Sequence, residues 1–287
     1  YVPLPTLQRA LAQPERANTL LLTGADKAPL AHAVTFADLG LKLRHNDDLH
    51  YVSLESEAFL LSPAVEAAAR EAATTLNCRT NAVLTYLANR IEVADHPETF
   101  VPYSVVAAID APPAPSGAWY PPGNDAPALA PGEIVVNDWT ARELGVEVGA
   151  TIRLTYYVPG LLGRLDTQAT SFRLRAVVPL AGFAADPGLT PEYAGVTDAR
   201  SLTDWNPPFP IDLHAIRPQD EIYWRDHRAT PKAFISLIAG QQLWTAGRER
   251  FGQLTSLRIL VPSGTSVAEA QTAFEREFLA RLDPARL

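Results

Sequence analysis

The stretch Gly132-Glu133-Ile134-Val135-Val136-Asn137-Asp138-Trp139-Thr140-Ala141-Arg142-Glu143-Leu144-Gly145-Val146-Glu147-Val148-Gly149 passes from strand to helix to turn. Glu133 to Val136 reads as a strand, with Ile134, Val135 and Val136 all β-branched and apolar. Asp138 stands where a side-chain oxygen can cap a short helix through Leu144. Gly145 follows as the natural helix stop, because only glycine enters the left-handed region without steric cost. Val148-Gly149 then makes a turn.

Beyond that turn the period changes to two. Ile152, Leu154, Tyr156 and Val158 alternate with more polar residues, as do Phe172, Leu174, Ala176 and Val178. This is the pattern of two half-buried strands in one hairpin, joined by a loop carrying Gly160 and Gly163. Residues 111–132 hold seven prolines, and read as an extended linker. Asp204 to Pro210 (DWNPPFP) reads the same way. These linkers bracket the β-rich middle, so residues 111–229 are expected as one inserted lobe. Residues 1–110 and 230–287 then form a discontinuous second lobe.

The second lobe reads as strand–helix–strand units. Tyr1-Val2-Pro3-Leu4 is extended, Thr6 can cap a helix running to Gln13, and Thr19 to Leu22 is a compact strand-like run. The end of the chain repeats the pattern. Phe234-Ile235-Ser236-Leu237 parallels the first four residues, and Gln241 follows Phe234 at the interval by which Gln8 follows Tyr1. Thr255 to Ile259 echoes Asn18 to Leu22 as a weak internal repeat. Ser62-Pro63 opens an alanine-rich helix to about Leu76. Ser266 and Glu269 form a capping box before Ala270, Phe274, Phe278 and Leu282, which fall on one stripe.

Bulk properties exclude several function classes. The chain has 287 residues, 47% of them hydrophobic and 20% charged, which suits a packed core. The net charge is −8, and no Lys/Arg cluster supplies a basic face for nucleic acid. Cys78 is the single cysteine, so no internal disulfide or cysteine-based zinc site is expected. No apolar run approaches the ~20 residues of a membrane helix. The chain therefore reads as soluble, and its start at Tyr1 suggests a piece of a longer protein.

The search for chemistry returns no defensible catalytic set. There is no G-x-x-x-x-G-K-[ST] loop, no G-x-G-x-x-G after a strand, and no G-x-S-x-G. Ser104 has no local base. His45-Asn46-Asp47-Asp48-Leu49-His50 has metal-ligand residue types, yet its spacing places the two rings on one face of neither a helix nor a strand, so it reads as a polar turn. No metal and no cofactor is expected. The densest polar segment is Arg217 to Lys232, which reads as a salt-bridged helix anchored by Trp224. Trp205, Asp220, Glu221, Tyr223, Trp224 and Arg225 are expected to form a partner-contact patch, since Trp, Tyr and Arg carry interface energy.

Gly132 to Gly149, together with Phe172-Arg173-Leu174-Arg175-Ala176-Val177-Val178, resembles a segment of the extracytoplasmic domains of MacB/FtsX-like ABC transporter permeases. In that family a strand leads to "x-x-x-A-x-x-L-G-x-x-V-G" and then to a strand pair ending in "F-x-V-x-G-V-V"; here Ala176 stands where glycine is usual. The segment Phe234 to Leu282 resembles the family's closing strand, helix, strand and helix. The resemblance implies an α+β fold, with a mixed α/β porter-like lobe near the membrane and an inserted β-rich lobe. It implies a location on the periplasmic, extracytoplasmic face and no catalysis by the domain itself. The implied partners are the protein's own transmembrane helices, a separate cytoplasmic ABC ATPase and an envelope protein, within a dimeric permease. Gly182 to Arg228 is longer than the family pattern. The competing readings are a secreted or periplasmic carbohydrate-active hydrolase and a stand-alone binding module. The hydrolase draws on the carboxylates and aromatics of 204–228.

Overall fold

A computed structural model describes residues 2–12, 14–15, 17, 34–110, 129–160, 164–193, 195–207, 209–245 and 249–282. The chain divides into two compact units, Tyr1–Val34 and Thr35–Leu287.

In the first unit, helix α1 spans Leu4–Ala10. It starts two residues before Thr6. The reason is local: Pro5 brings a helical φ and no N–H to the first turn, where no intrahelical partner exists anyway. Thr6 N instead donates to Pro3 O at 3.0 Å. Leu4, Leu7 and Leu11 are exposed on this unit. The extended strand expected at the chain start thus gives way to a helix at Leu4. The run Thr19 to Leu22 lies outside the described residues.

The second unit is mixed α/β. Its strands are β1 (Leu41–Asn46), β2 (Tyr51–Ser56), β3 (Arg79–Val93), β4 (His96–Ile109), β5 (Glu133–Asn137), β6 (Thr151–Pro159), β7 (Leu165–Val178), β8 (Ala233–Ser236) and β9 (Ser256–Leu260). They hydrogen-bond in the order β1-β2-β9-β3-β4-β8-β5-β7-β6, and β6 returns to pair with β3. Strands β3, β4, β8, β5, β7 and β6 therefore close a six-stranded barrel, which removes the edges an open sheet would expose. β4 with β8 and β5 with β7 are parallel; the other pairs are antiparallel.

β3 holds the unit together. Its first residues, Arg79 to Val83, pair with β9, and Ala88 to Val93 pair with β6. One long strand thus belongs both to the barrel and to a three-stranded extension, β9-β2-β1. The hairpin expected from Ile152 and Phe172 is present, with Ile152 opposite Phe172. Barrel strands come from both sides of the boundaries near 110 and 230: β3, β4 and β8 from the terminal segments, β5, β6 and β7 from the middle. The proline-rich 111–128 falls outside the described residues. Within 204–210, Trp205 is buried and meets Trp224 edge-on with ring centroids 5.1 Å apart.

Helices cover the sheet where the sequence is apolar. Helix α2 (Pro63–Thr75) is capped by Ser62, whose Oγ accepts from Val65 N. Its buried stripe of Ala68, Ala69, Ala72 and Ala73 lets another helix approach closely. Helix α6 (Val267–Arg281) starts with the expected capping box of Ser266 and Glu269. Phe274 and Phe278 are fully buried with Leu41, Val52, Leu54, Leu257 and Ile259 of the extension. Helix α5 (Leu237–Thr245) continues directly from β8. At Gly240 an added Cβ would stand 2.2 Å from Ala108 Cβ, so only glycine lets this helix lie on β4.

Helix α3 (Asp138–Leu144) differs from expectation at its start. Asn137 is the cap, its Oδ1 accepting from Thr140 N at 2.8 Å. Asp138 is one position inside and binds Leu180 N and Arg142. Gly145 ends the helix with φ 62° as expected. No helix among the described residues is long and apolar enough to cross a membrane.

Candidate functional site

The three-stranded extension has two chemically different faces, set by the two-residue period of its strands. Leu41 and Leu43, Val52 and Leu54, and Leu257 and Ile259 face α2 and α6. The intervening residues Arg44, Ser53, Glu55 and Arg258 turn to the other side. A charged face would ordinarily meet water; here residues 183–193 cover much of it. That segment is fixed by hydrogen bonds from Thr85 Oγ1 to Leu189 O (2.8 Å), from Thr230 Oγ1 to Ala185 O (3.3 Å) and from Thr190 Oγ1 to Ala229 O (2.7 Å).

The covered face carries a charge network. Arg258 is fully buried, and its Nη1 lies 2.8 Å from Asp186 Oδ2. Tyr51 donates to the same oxygen at 2.7 Å, and its ring lies 4.1 Å under the Arg258 guanidinium. Burial, reinforced by Asp186 and opposed by Arg258, holds the Tyr51 hydroxyl above its ordinary pKa. Glu55, buried beside it, accepts from Arg44 Nε and Nη2 at 2.9 and 2.6 Å and from Ser53 Oγ at 3.0 Å. Burial raises the Glu55 carboxyl pKa even though Arg44 pulls the other way. Arg44 also reaches Gly188 O and Thr190 O at 3.3 and 3.4 Å, tying β1 to the covering segment.

A second polar cluster sits under helix α4 (Pro218–His227), where sequence reading placed the partner-contact patch. Trp205, Asp220, Tyr223 and Trp224 are all buried. Asp220 accepts a two-pronged bond from Arg217 at 2.8 and 2.9 Å, and its Oδ2 also accepts from Arg217 N, satisfying the helix start. Glu221 points away from Asp220 and accepts from Leu202 N and Thr203 N, both at 3.0 Å. Arg225 is exposed and pairs with Asp226. Lys232 lies beneath, with Nζ 3.9 Å from Asp220 Oδ1 and 4.8 and 4.7 Å from the Trp139 and Tyr223 rings. Desolvation pulls the Lys232 pKa down to about 8, with Asp220 opposing the shift. Tyr223 is held above its ordinary pKa by burial.

The remaining candidates lie apart from these clusters. His45 Nδ1 is 3.0 Å from Gln271 Oε1 on α6, while His50 sits in the turn after β1 with φ 57°. Among the described residues no group of three or more His, Cys, Asp or Glu could hold a metal ion. Ser104 is buried in β4 and donates to Pro102 O. Cys78, at the exit of α2, is half-buried, and burial raises its thiol pKa. Sequence reasoning missed Arg44, Glu55, Asp186 and Arg258. The alternation Lys42–Arg44 and Ser53–Glu55 was legible as a polar strand face; that a distant segment would bury it was not.

In comparisons with known proteins, the chain matches no family model and no curated sequence.

Proposed function

We propose that this chain is an extracytoplasmic domain of a MacB/FtsX-like ABC transporter permease, a body without catalysis of its own. In this reading it receives ATP-driven movement from membrane helices and delivers it to a substrate or envelope partner. The ATPase belongs to a separate cytoplasmic chain or domain, and the full permease works as a dimer.

One observation carries the reading. The Gly132–Gly149 segment that bears the resemblance is strand β5, helix α3 and the turn into β6, and it closes with β7 into a barrel. That barrel shares β3 with the layer on which α6 packs. A displacement entering through α6 therefore reaches the barrel through one continuous strand, because packed elements move as rigid bodies. The buried ion pair Arg258–Asp186 suits such a coupling body as well, since it ties the covering segment to β9.

Membrane topology tests the proposal. A reporter fused after Leu287 in the native gene is expected just outside the membrane, followed by a spanning segment. A cytoplasmic reporter, or a gene with no membrane segment, overturns it and brings the hydrolase or binding-module reading forward. In the full protein, Phe274→Ala is expected to reduce transport more than ATP hydrolysis.

A further inference from the structure

The charged face of the extension is not covered to its end. Between β1 and β2 on one side and residues 187–193, Thr197, Asp198 and Arg228 on the other, a cleft of about 770 Å³ remains. Clefts that hold small ligands fall in this size range. Its floor is the Arg44–Glu55 pair, and Tyr193, packed edge-on against Phe59 at 5.3 Å, contributes an aromatic wall.

The floor pair is used on one edge. Glu55 Oε1 takes both bonds from Arg44 and the bond from Ser53. Glu55 Oε2 and Arg44 Nη1 take none of these. The Glu55 side chain is only 4% exposed, against 33% for Arg44. An acceptor that water reaches so poorly gains more from a ligand donor than an exposed carboxylate would.

The charges around the floor decide the ligand class. Lys42 already pairs with Glu192 at 3.4 Å across the cleft mouth. Arg228 spends its donors on the carbonyls of Thr197 and Ala199 at 3.2 and 2.8 Å and lies over Trp224. Lys42, Arg44 and Arg228 face Glu55, Glu57, Glu192 and Asp198, so neither sign dominates and a strongly charged ligand is not favoured. What the floor offers is a donor and an acceptor side by side. The N–H and C=O of one residue in an extended peptide point to the same side and match that pair, as in a strand–strand exchange.

We propose that this cleft binds a short extended peptide, with one residue's N–H on Glu55 Oε2, its C=O on Arg44 Nη1, and an apolar side chain against Tyr193. The proposal is independent of the permease reading and holds for any host protein.

Titration of the ¹⁵N-labelled chain with acetyl-tetraalanine amide, which has no terminal charges, tests it. Saturable shifts are expected at the amides of 42–44, 55–57, 188–190 and 192–193. Glu55→Gln replaces an acceptor by an amide and should weaken binding about tenfold, the loss of one good hydrogen bond. Tyr193→Ala should also weaken it, and serves as the deciding variant if Glu55→Gln does not fold. Ile222→Ser, on the exposed face of α4, should leave the affinity unchanged. The proposal is overturned by the absence of saturable shifts up to the peptide's solubility limit. Equal affinity in the wild type and the folded cleft variants also overturns it, as does binding of free alanine without the blocked peptide.

Discussion

Arg258 of β9 and Asp186 of the covering segment form a wholly buried ion pair, Nη1 to Oδ2 at 2.8 Å, between residues far apart in the chain. Both side chains are withdrawn from solvent, and Asp186 is also held by the Tyr51 hydroxyl and by Gly188 N–H. Such a pair adds little net stability over a hydrophobic alternative, but losing one member is costly. Asp186→Ala is accordingly expected to destabilise the second unit by about 3–5 kcal/mol. The double change Arg258→Met with Asp186→Ala should recover much of that loss. Urea unfolding of the three variants checks this; a double variant no better than Asp186→Ala would show that the charge left behind is not the cause.

The Phe274 ring is fully buried between the extension and α2. Phe274→Ala removes the whole ring and leaves a cavity, so a loss of about 3–5 kcal/mol is expected. Thermal unfolding by circular dichroism measures it. Glu275→Ala, the next position on the helix, should change stability by less than about 0.5 kcal/mol.

Lys232 gives the second unit a specific pH dependence. Its folded pKa of about 8 lies below the ordinary lysine value of 10.5, so between those values the unfolded chain binds more protons. Stability therefore rises with pH across that window, by up to roughly 3 kcal/mol if the whole shift is expressed. Above pH 10 the raised tyrosines, Tyr86 at about 12 among them, act in the opposite direction. Lys232→Met should abolish the rise while leaving Asp220 held by Arg217. Unfolding free energies of wild type and variant at pH 7 and pH 9.5 test this, and parallel curves would contradict it.

Gly145 ends α3 in the left-handed conformation, with open space where a Cβ would go. The cost of a side chain there is conformational and not steric with neighbours. Gly145→Ala should lose about 1 kcal/mol, and Gly145→Asn less, because asparagine tolerates this region. Equal stability of all three in chemical denaturation would count against the role of this cap.

Elements whose causes are local were legible along the chain. Ser62, Gly145 and the Ser266–Glu269 box mark helix ends because capping needs only neighbours within a turn. The strands β5 to β7 and the apolar stripe of α6 were legible because burial of one face imposes a period. The cap of α3 moved from Asp138 to Asn137, and α1 began at Leu4 and not after Thr6, since neighbouring polar residues and prolines compete for the same role within a residue or two. Tertiary structure alone decided that β6 returns to β3 and closes a barrel, because pairing partners share no signal along the chain. It also decided that Trp205, Asp220, Tyr223 and Trp224 lie buried under α4, and that Arg44, Glu55, Asp186 and Arg258 meet. An alternating pattern shows that a strand has a polar face; only the arrival of a remote segment determines whether that face meets water or a buried counter-charge.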